Sequence, residues 1–268
     1  MRHFPPPSRR SHCTRNLARV LAASLTALVV VFLAAAPSQA RKTNSPPNAA
    51  KAEPAKALRP GGPDTAAPSA AVPRKILLVG DSFALGLGLT LPQSLSRQGE
   101  VALANRGKVS SGLNSPQFYD WEKALAEFLA AEKPDALVVM LGGNDAKNGR
   151  GTPQWAQDFT AKAGRFLEIA GRHGVRVYWI GLPPMREKSY SQRAWTANEA
   201  MRSACSGASS CRFIESWDLF ADAAGRFSAK KTVSGKAVSL RGKDGVHFTT
   251  AGCRLLTDRI VTAMATPR

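Results

Sequence analysis

Four apolar runs of strand length constrain this chain more than any other feature in it. The first is KILLVG at 75–80, and the others occupy 101–105, 136–141 and 175–180, with a weaker one at 212–214. They are continuous rather than alternating, so each reads as a strand covered on both faces, the habit of parallel sheets. Helix-like stretches lie between them, at about 86–98, 119–132, 153–173 and 191–204. A last helix covers about 250–265, with Thr249 or Thr250 as its N-cap. Strands alternating with helices predict an α/β domain with a parallel sheet clothed on both sides. Pro183-Pro184 closes the fourth unit, and 225–243, with Gly225, Gly235 and Gly242, reads as an irregular loop or small hairpin.

The chain ahead of this pattern has a different character. Residues 1–40 carry five arginines and no acid, then the apolar run 20–36, then Pro37-Ser38-Gln39-Ala40. A basic start, an apolar centre and a small-x-small ending make a secretory signal, with cleavage after Ala40. The alternative is a retained anchor, with 20–36 as a membrane tether. Either implies export, to a periplasm or cell envelope. Residues 41–73 are rich in Pro and Ala without apolar periodicity. They cannot bury enough apolar surface to offset ordering, and read as a disordered linker. The remainder, 74–268, is the length of one domain.

Charge and cysteines narrow the partners. The formal net charge is +18, which favours anionic surfaces such as cell-wall polymers or lipid head groups. No zinc-finger spacing and no basic helix with interleaved aromatics accompanies it, so nucleic acid is not expected. Lys230, Lys231, Lys236, Arg241 and Lys243 cluster late in the chain, where they either meet an anionic glycan or are simply solvated. Cys205 and Cys211 flank a small, flexible segment that a disulfide can close in an oxidising compartment, and Cys253 reads as a small buried hydrophobe. Paired metal-ligand spacings are absent, so neither a metal nor another cofactor is expected.

In open α/β sheets the reactive groups gather just beyond the carboxyl ends of the strands. Gly80-Asp81-Ser82 follows the first run. Gly80 permits a sharp turn and puts Ser82 at a helix start, where unpaired N–H groups favour negative charge. Read alone, Asp81-Ser82 is an ordinary capping pair. Asn105-Arg106-Gly107 and Ser110-Ser111-Gly112 follow the second run, and Gly142-Gly143-Asn144-Asp145 follows the third. Each by itself is a glycine or asparagine turn. Together they supply backbone and amide donors to one edge. Asp244-Gly245-Val246-His247 stands just before the last helix, with the acid placed to orient the imidazole. His173, in Gly-Arg-His-Gly at a helix end, reads as surface decoration.

In this order and spacing, Gly80-Asp81-Ser82, Gly112, Gly142-Gly143-Asn144-Asp145 and 244–247 resemble the four sequence blocks of the SGNH (GDSL-like) hydrolases, over nearly all of 74–265. GDSFALGLG, WEKALAEF, VVMLGGND and RGKDGVHFTTAG more narrowly resemble a bacterial cell-envelope branch of that superfamily. The resemblance implies a three-layer α/β/α flavodoxin-like fold with a five-stranded parallel sheet in the order 2-1-3-4-5, and no metal. It implies Ser82 as nucleophile, His247 as base and Asp244 as its orienting acid. The oxyanion donors are then the Ser82 N–H, Gly112 and Asn144, with Gly107 as the rival block-two glycine. Phe83 stands where many members carry a smaller aliphatic, a change that shapes the acyl pocket.

The function implied is an exported serine esterase acting on short acyl esters, O-acetyl above all, on an envelope or extracellular polysaccharide or another small ester. A histidine base must be neutral, so activity is expected to rise through about pH 6–7. An O-acyltransferase would use the same triad, with a sugar hydroxyl replacing water. A non-catalytic glycan-binding or assembly factor would have no need for Ser82, Asn144, Asp244 and His247 together.

Overall fold

The computed structural model describes residues 72–233 and 235–267. The secretory signal or tether over 1–40, and the 41–73 linker up to residue 71, lie outside the described residues.

The strands are β1 Lys75–Gly80, β2 Ala102–Gly107, β3 Ala136–Met140, β4 Arg176–Ile180 and β5 Cys211–Ile214. They form one sheet in the order β2-β1-β3-β4-β5, and every pairing is parallel. This is the flavodoxin-like order expected. The central β3 is buried throughout (ALVVM), as is β1 after its first residue, whereas the edge strand β2 is half exposed. The run at 101–105, expected to be covered on both faces, is instead an edge strand left partly open to solvent.

The helices are α1 Ser82–Leu87, α2 Leu91–Ser96, α3 Trp121–Glu132, α4 Gly143–Asn148, α5 Pro153–Arg172, α6 Lys188–Ser206, α7 Trp217–Phe220 and α8 Thr250–Ala265. One packed group joins α3, α5, α6 and α4; the other joins α1, α2 and α8. Buried aromatic rings fill the space beneath the first group: Trp121 meets Phe166 at 6.5 Å, and Phe166 meets Trp179 at 5.4 Å. The cap of α8 is Thr249, whose hydroxyl accepts from the Gly252 N–H, so the helix is positioned immediately after the 244–247 loop.

One local expectation changes and another resolves to the hairpin of its two readings. The single helix at about 86–98 is two short helices, α1 ending at Leu87 and α2 opening at Leu91 with Pro92 in its first turn, where its missing N–H cannot continue a preceding helix. The 225–243 region contains a true hairpin, β6 Lys230–Val233 paired antiparallel with β7 Lys236–Ser239. A disulfide joins Cys205 to Cys211 and ties the end of α6 to the start of β5. Cys253 is free and buried, and its thiol is pushed up to about 11 by that burial. Among the described residues no helix is long and apolar enough to cross a membrane.

Candidate active site

The site is assembled from the loops that leave β1, β2 and β3 and from the loop before α8. At the end of β1 the chain passes so near β3 that a Cβ on Gly80 would fall 1.9 Å from the Met140 carbonyl oxygen, and φ here is +143°. Only glycine fits both demands. Asp81 then donates its N–H to that same carbonyl at 3.2 Å, and Ser82 opens α1.

The Ser82 Oγ lies 2.9 Å from His247 Nε2, and His247 Nδ1 lies 2.6 Å from Asp244 Oδ2. The loop that delivers the acid and the imidazole folds on itself. Asp244 Oδ1 accepts from the N–H groups of Val246 and His247, and the Gly242 N–H closes onto the His247 carbonyl at 2.7 Å. Gly245 has φ +74°, and a Cβ on it would strike Arg186. Partial burial pushes the Asp244 carboxyl up. The hydrogen bonds from the His247 ring and the two backbone N–H groups, with the nearby imidazole charge, outweigh it and hold the pKa at about 2. A carboxylate is therefore present above that pH to keep the proton on Nδ1 and leave Nε2 free to accept from Ser82.

Asn144, the second residue of α4, lines the same cavity and donates its amide to the Ser111 carbonyl at 2.9 Å. From the β2–α3 segment the cavity wall takes Val109 and Ser110. Ser110 is held at φ +63°, a conformation that costs non-glycine residues about 1 kcal/mol or more. Gly112 is buried instead against Asp145, whose Oδ2 would lie 2.6 Å from an added Cβ. Gly107 ends β2, and its N–H bonds the Asn105 side chain at 3.0 Å. Phe83 is buried, with its ring 5.6 Å from the His247 ring and 5.3 Å from Phe248. It backs the imidazole as well as bordering the cavity.

Two carboxylates hold the loops in register: Asp81, which caps α1 as its sequence position suggested, and Asp145, to which sequence reasoning gave no role. Asp81 is fully buried and accepts from the Phe83 N–H and, across to the β3 loop, from the Gly143 N–H, both at 3.0 Å. Asp145 accepts from Leu113 N–H at 3.1 Å and Asn114 N–H at 2.7 Å in the β2 loop. Burial lifts Asp81 to about 7, further raised by the Asp145 charge and opposed by its backbone donors. Burial raises Asp145 too. Their signal was visible as the acids flanking Ser82 and Asn144, but which N–H groups they meet depends on three loops at once. Tyr190, from α6, adds another strut by donating its phenol to the Gly143 carbonyl at 2.9 Å.

Arg241 does not belong to the exposed basic cluster in which its sequence position placed it. Its guanidinium is buried, donates to the Pro184 and Val246 carbonyls at 2.6 Å each, and lies within 5.1–5.5 Å of the rings of Phe220, Phe227 and Phe248. The aromatic residues around it draw the cation inward, where it clamps the histidine loop from beneath. Lys230, Lys231, Lys236 and Lys243 are exposed. Among the described residues, no group of three or more His, Cys, Asp or Glu side chains is arranged to hold a metal ion.

This sheet order, with a serine after β1 and a histidine loop before the last helix, is the fold of the SGNH (GDSL-like) hydrolases. A GDSL-like lipase from Bacteroides thetaiotaomicron superposes with a TM-score of 0.54 at 16% identity, covering 71% of this chain and 87% of its own. A catalytic mutant of an acetylxylan esterase from Geobacillus stearothermophilus superposes with a TM-score of 0.55 at 13% identity, covering 72% and 95%. Esterase TesA from Pseudomonas aeruginosa is 31% identical over 120 residues, which are 42% of this chain and 58% of that protein. Residues 75–263 match the family described as "Protein of unknown function (DUF459)", and the chain belongs to that family.

Proposed function

We propose that this chain is an exported serine esterase that removes short acyl groups, O-acetyl foremost, from an envelope or extracellular polysaccharide. The observation that carries this reading is the continuous relay from Ser82 Oγ through His247 to Asp244, at 2.9 and 2.6 Å, on the edge of a parallel sheet. A capping serine and a surface histidine have no reason to meet in this way across 165 residues of sequence.

In this reading Ser82 Oγ attacks the ester carbonyl while its proton passes to His247 Nε2. Asp244 stabilises the imidazolium without itself taking the proton. The tetrahedral oxyanion is held by the Ser82 N–H, the Asn144 amide and a backbone donor from 110–112, Gly112 on the sequence reading. Collapse breaks the bond to the alcohol oxygen, which leaves with the proton from His247. Water then gives a proton to the same nitrogen and attacks the acyl-enzyme, releasing the acid and restoring Ser82. The cavity at Ser82 has about 360 Å³ of space, which suits a short acyl group. Esterase TesA and the acetylxylan esterase lend their activities as support. The signal-like 1–40 segment and the Cys205–Cys211 disulfide support export, since such bonds persist in oxidising compartments.

The test is hydrolysis of a chromogenic acetate ester by the purified chain beside Ser82→Ala. Wild-type turnover with the variant at background is the expected result. Absence of turnover in a folded wild type would overturn hydrolysis and favour acyl transfer or glycan binding.

A further inference from the structure

A second concavity, of about 670 Å³, lies beside the histidine loop. Its size is in the range of small-molecule sites. Trp195 from α6 and Trp217 from α7 form its corner, ring centroids 5.0 Å apart and planes at 84°. Trp195 is 48% exposed, which is unusual for so large an apolar ring. Trp217 has its indole N–H occupied by the Gly225 carbonyl at 2.8 Å, so what it offers a ligand is carbon surface. Phe227 continues the floor, and Arg186, Lys188 and Arg226 bring three cations against the one carboxylate of Asp222.

We propose that this groove is a subsite for an anionic glycan, seating a pyranose ring in the Trp195–Trp217 corner with its carboxylate toward Arg186 and Lys188. The inference rests on the esterase reading for its role in catalysis but not for the binding itself. Two right-angled aromatic faces match the apolar C–H face of a sugar, and the surplus of positive charge selects an acidic one.

The location fits the alcohol side of the ester rather than the acyl side. His247 must protonate the leaving oxygen, so the leaving sugar extends past the histidine, away from Asn144. The groove borders the loop that carries this histidine. Arg186, in its wall, donates its backbone N–H to the Gly245 carbonyl at 3.1 Å and its guanidinium to the Lys243 carbonyl at 2.6 Å. That loop separates the groove from the Ser82 cavity, and the two share no lining residue. The groove is thus a compartment separate from the Ser82 cavity, one that a chain of sugar units spanning the loop would reach.

The experiment is titration of the full chain with hexagalacturonate, which carries no ester, followed by calorimetry and tryptophan fluorescence. Xylohexaose serves as the neutral comparison and decanoate as the acyl comparison. The expected result is hexagalacturonate binding that weakens with added salt and by about tenfold or more in Trp195→Ala and in Lys188→Glu. Both side chains are exposed, so neither change threatens the fold. No binding by wild type, or binding indifferent to Trp195→Ala, would overturn the subsite. Equal affinity for xylohexaose would overturn its anionic selectivity, and preferential binding of decanoate would reassign the groove to acyl chains. Acetate-ester hydrolysis dependent on Ser82 is scored separately, so failure of the subsite and failure of the esterase reading are told apart.

Discussion

At Ser82, His247 and Asp244 the geometry asks three residues to act as one unit. Ser82→Ala is expected to lower kcat on an acetate ester by about 10⁵–10⁶-fold, and adding His247→Ala to change little more, because neither half works alone. Asp244→Asn leaves the ring in place but lets the wrong tautomer form, at a cost of about 10⁴-fold in kcat. Asn144→Ala removes one oxyanion donor and should cost about 10²–10³-fold in kcat. Steady-state kinetics on the purified variants checks all four, and a loss confined to KM would contradict the assigned roles. The acids next to these residues act differently. Asp81→Ala strips acceptors from the Phe83 and Gly143 N–H groups, and should destabilise the fold by about 2 kcal/mol or more in urea unfolding.

At the scale of elements, the histidine loop depends on what lies beneath it. Arg241 is a positioning residue that holds the Val246 and Pro184 carbonyls. Arg241→Met keeps much of the stacking volume but leaves both carbonyls unmet, which should destabilise by about 2–4 kcal/mol. It should also lower kcat with little change in KM, and Arg241→Lys should recover part of the loss. An unchanged kcat in a folded Arg241→Met protein would remove the clamp from the account. The α6–β5 connection has its own staple. Reducing Cys205–Cys211, which closes a short loop, should lower stability by about 2 kcal/mol, read as a fall in the urea midpoint at constant m-value.

Over the whole molecule the two kinds of site acid pull stability in opposite directions with pH. Asp81 is raised to about 7 in the fold and sits near 3.9 in the unfolded chain. The native state therefore binds more protons between those values, and the Asp81 contribution, full below about pH 4, is lost as pH rises to about 7. Asp145, raised in the same direction, adds to that trend. Asp244 at about 2 does the reverse, contributing above about pH 4 and losing its effect as pH falls toward 2. Urea unfolding should accordingly give a higher midpoint at pH 5 than at pH 8, and Asp81→Asn should narrow the difference. A difference that Asp81→Asn leaves intact would show that other groups set it.

The strands and their parallel pairing were legible in the sequence, because an apolar run and its alternation with helices are local patterns, whereas Ser82, Asp244 and His247 stood out only through the resemblance of their blocks taken in order. A continuous apolar run reports burial on two faces, whereas a Gly-Asp-Ser block read alone is only a capping pair. The burial of Arg241, the loop-tying roles of Asp81 and Asp145 and the Trp195–Trp217 corner were not legible. Each of these depends on distances between segments far apart in the chain. A buried cation needs carbonyls and rings from three other segments, and a charge among lysines reads as one more surface charge. The sequence by itself determined which chemistry the edge of the sheet can hold. Only the tertiary structure decided which polar groups are withdrawn from water to hold that edge in place, since desolvation belongs to the packed molecule and not to any stretch of it.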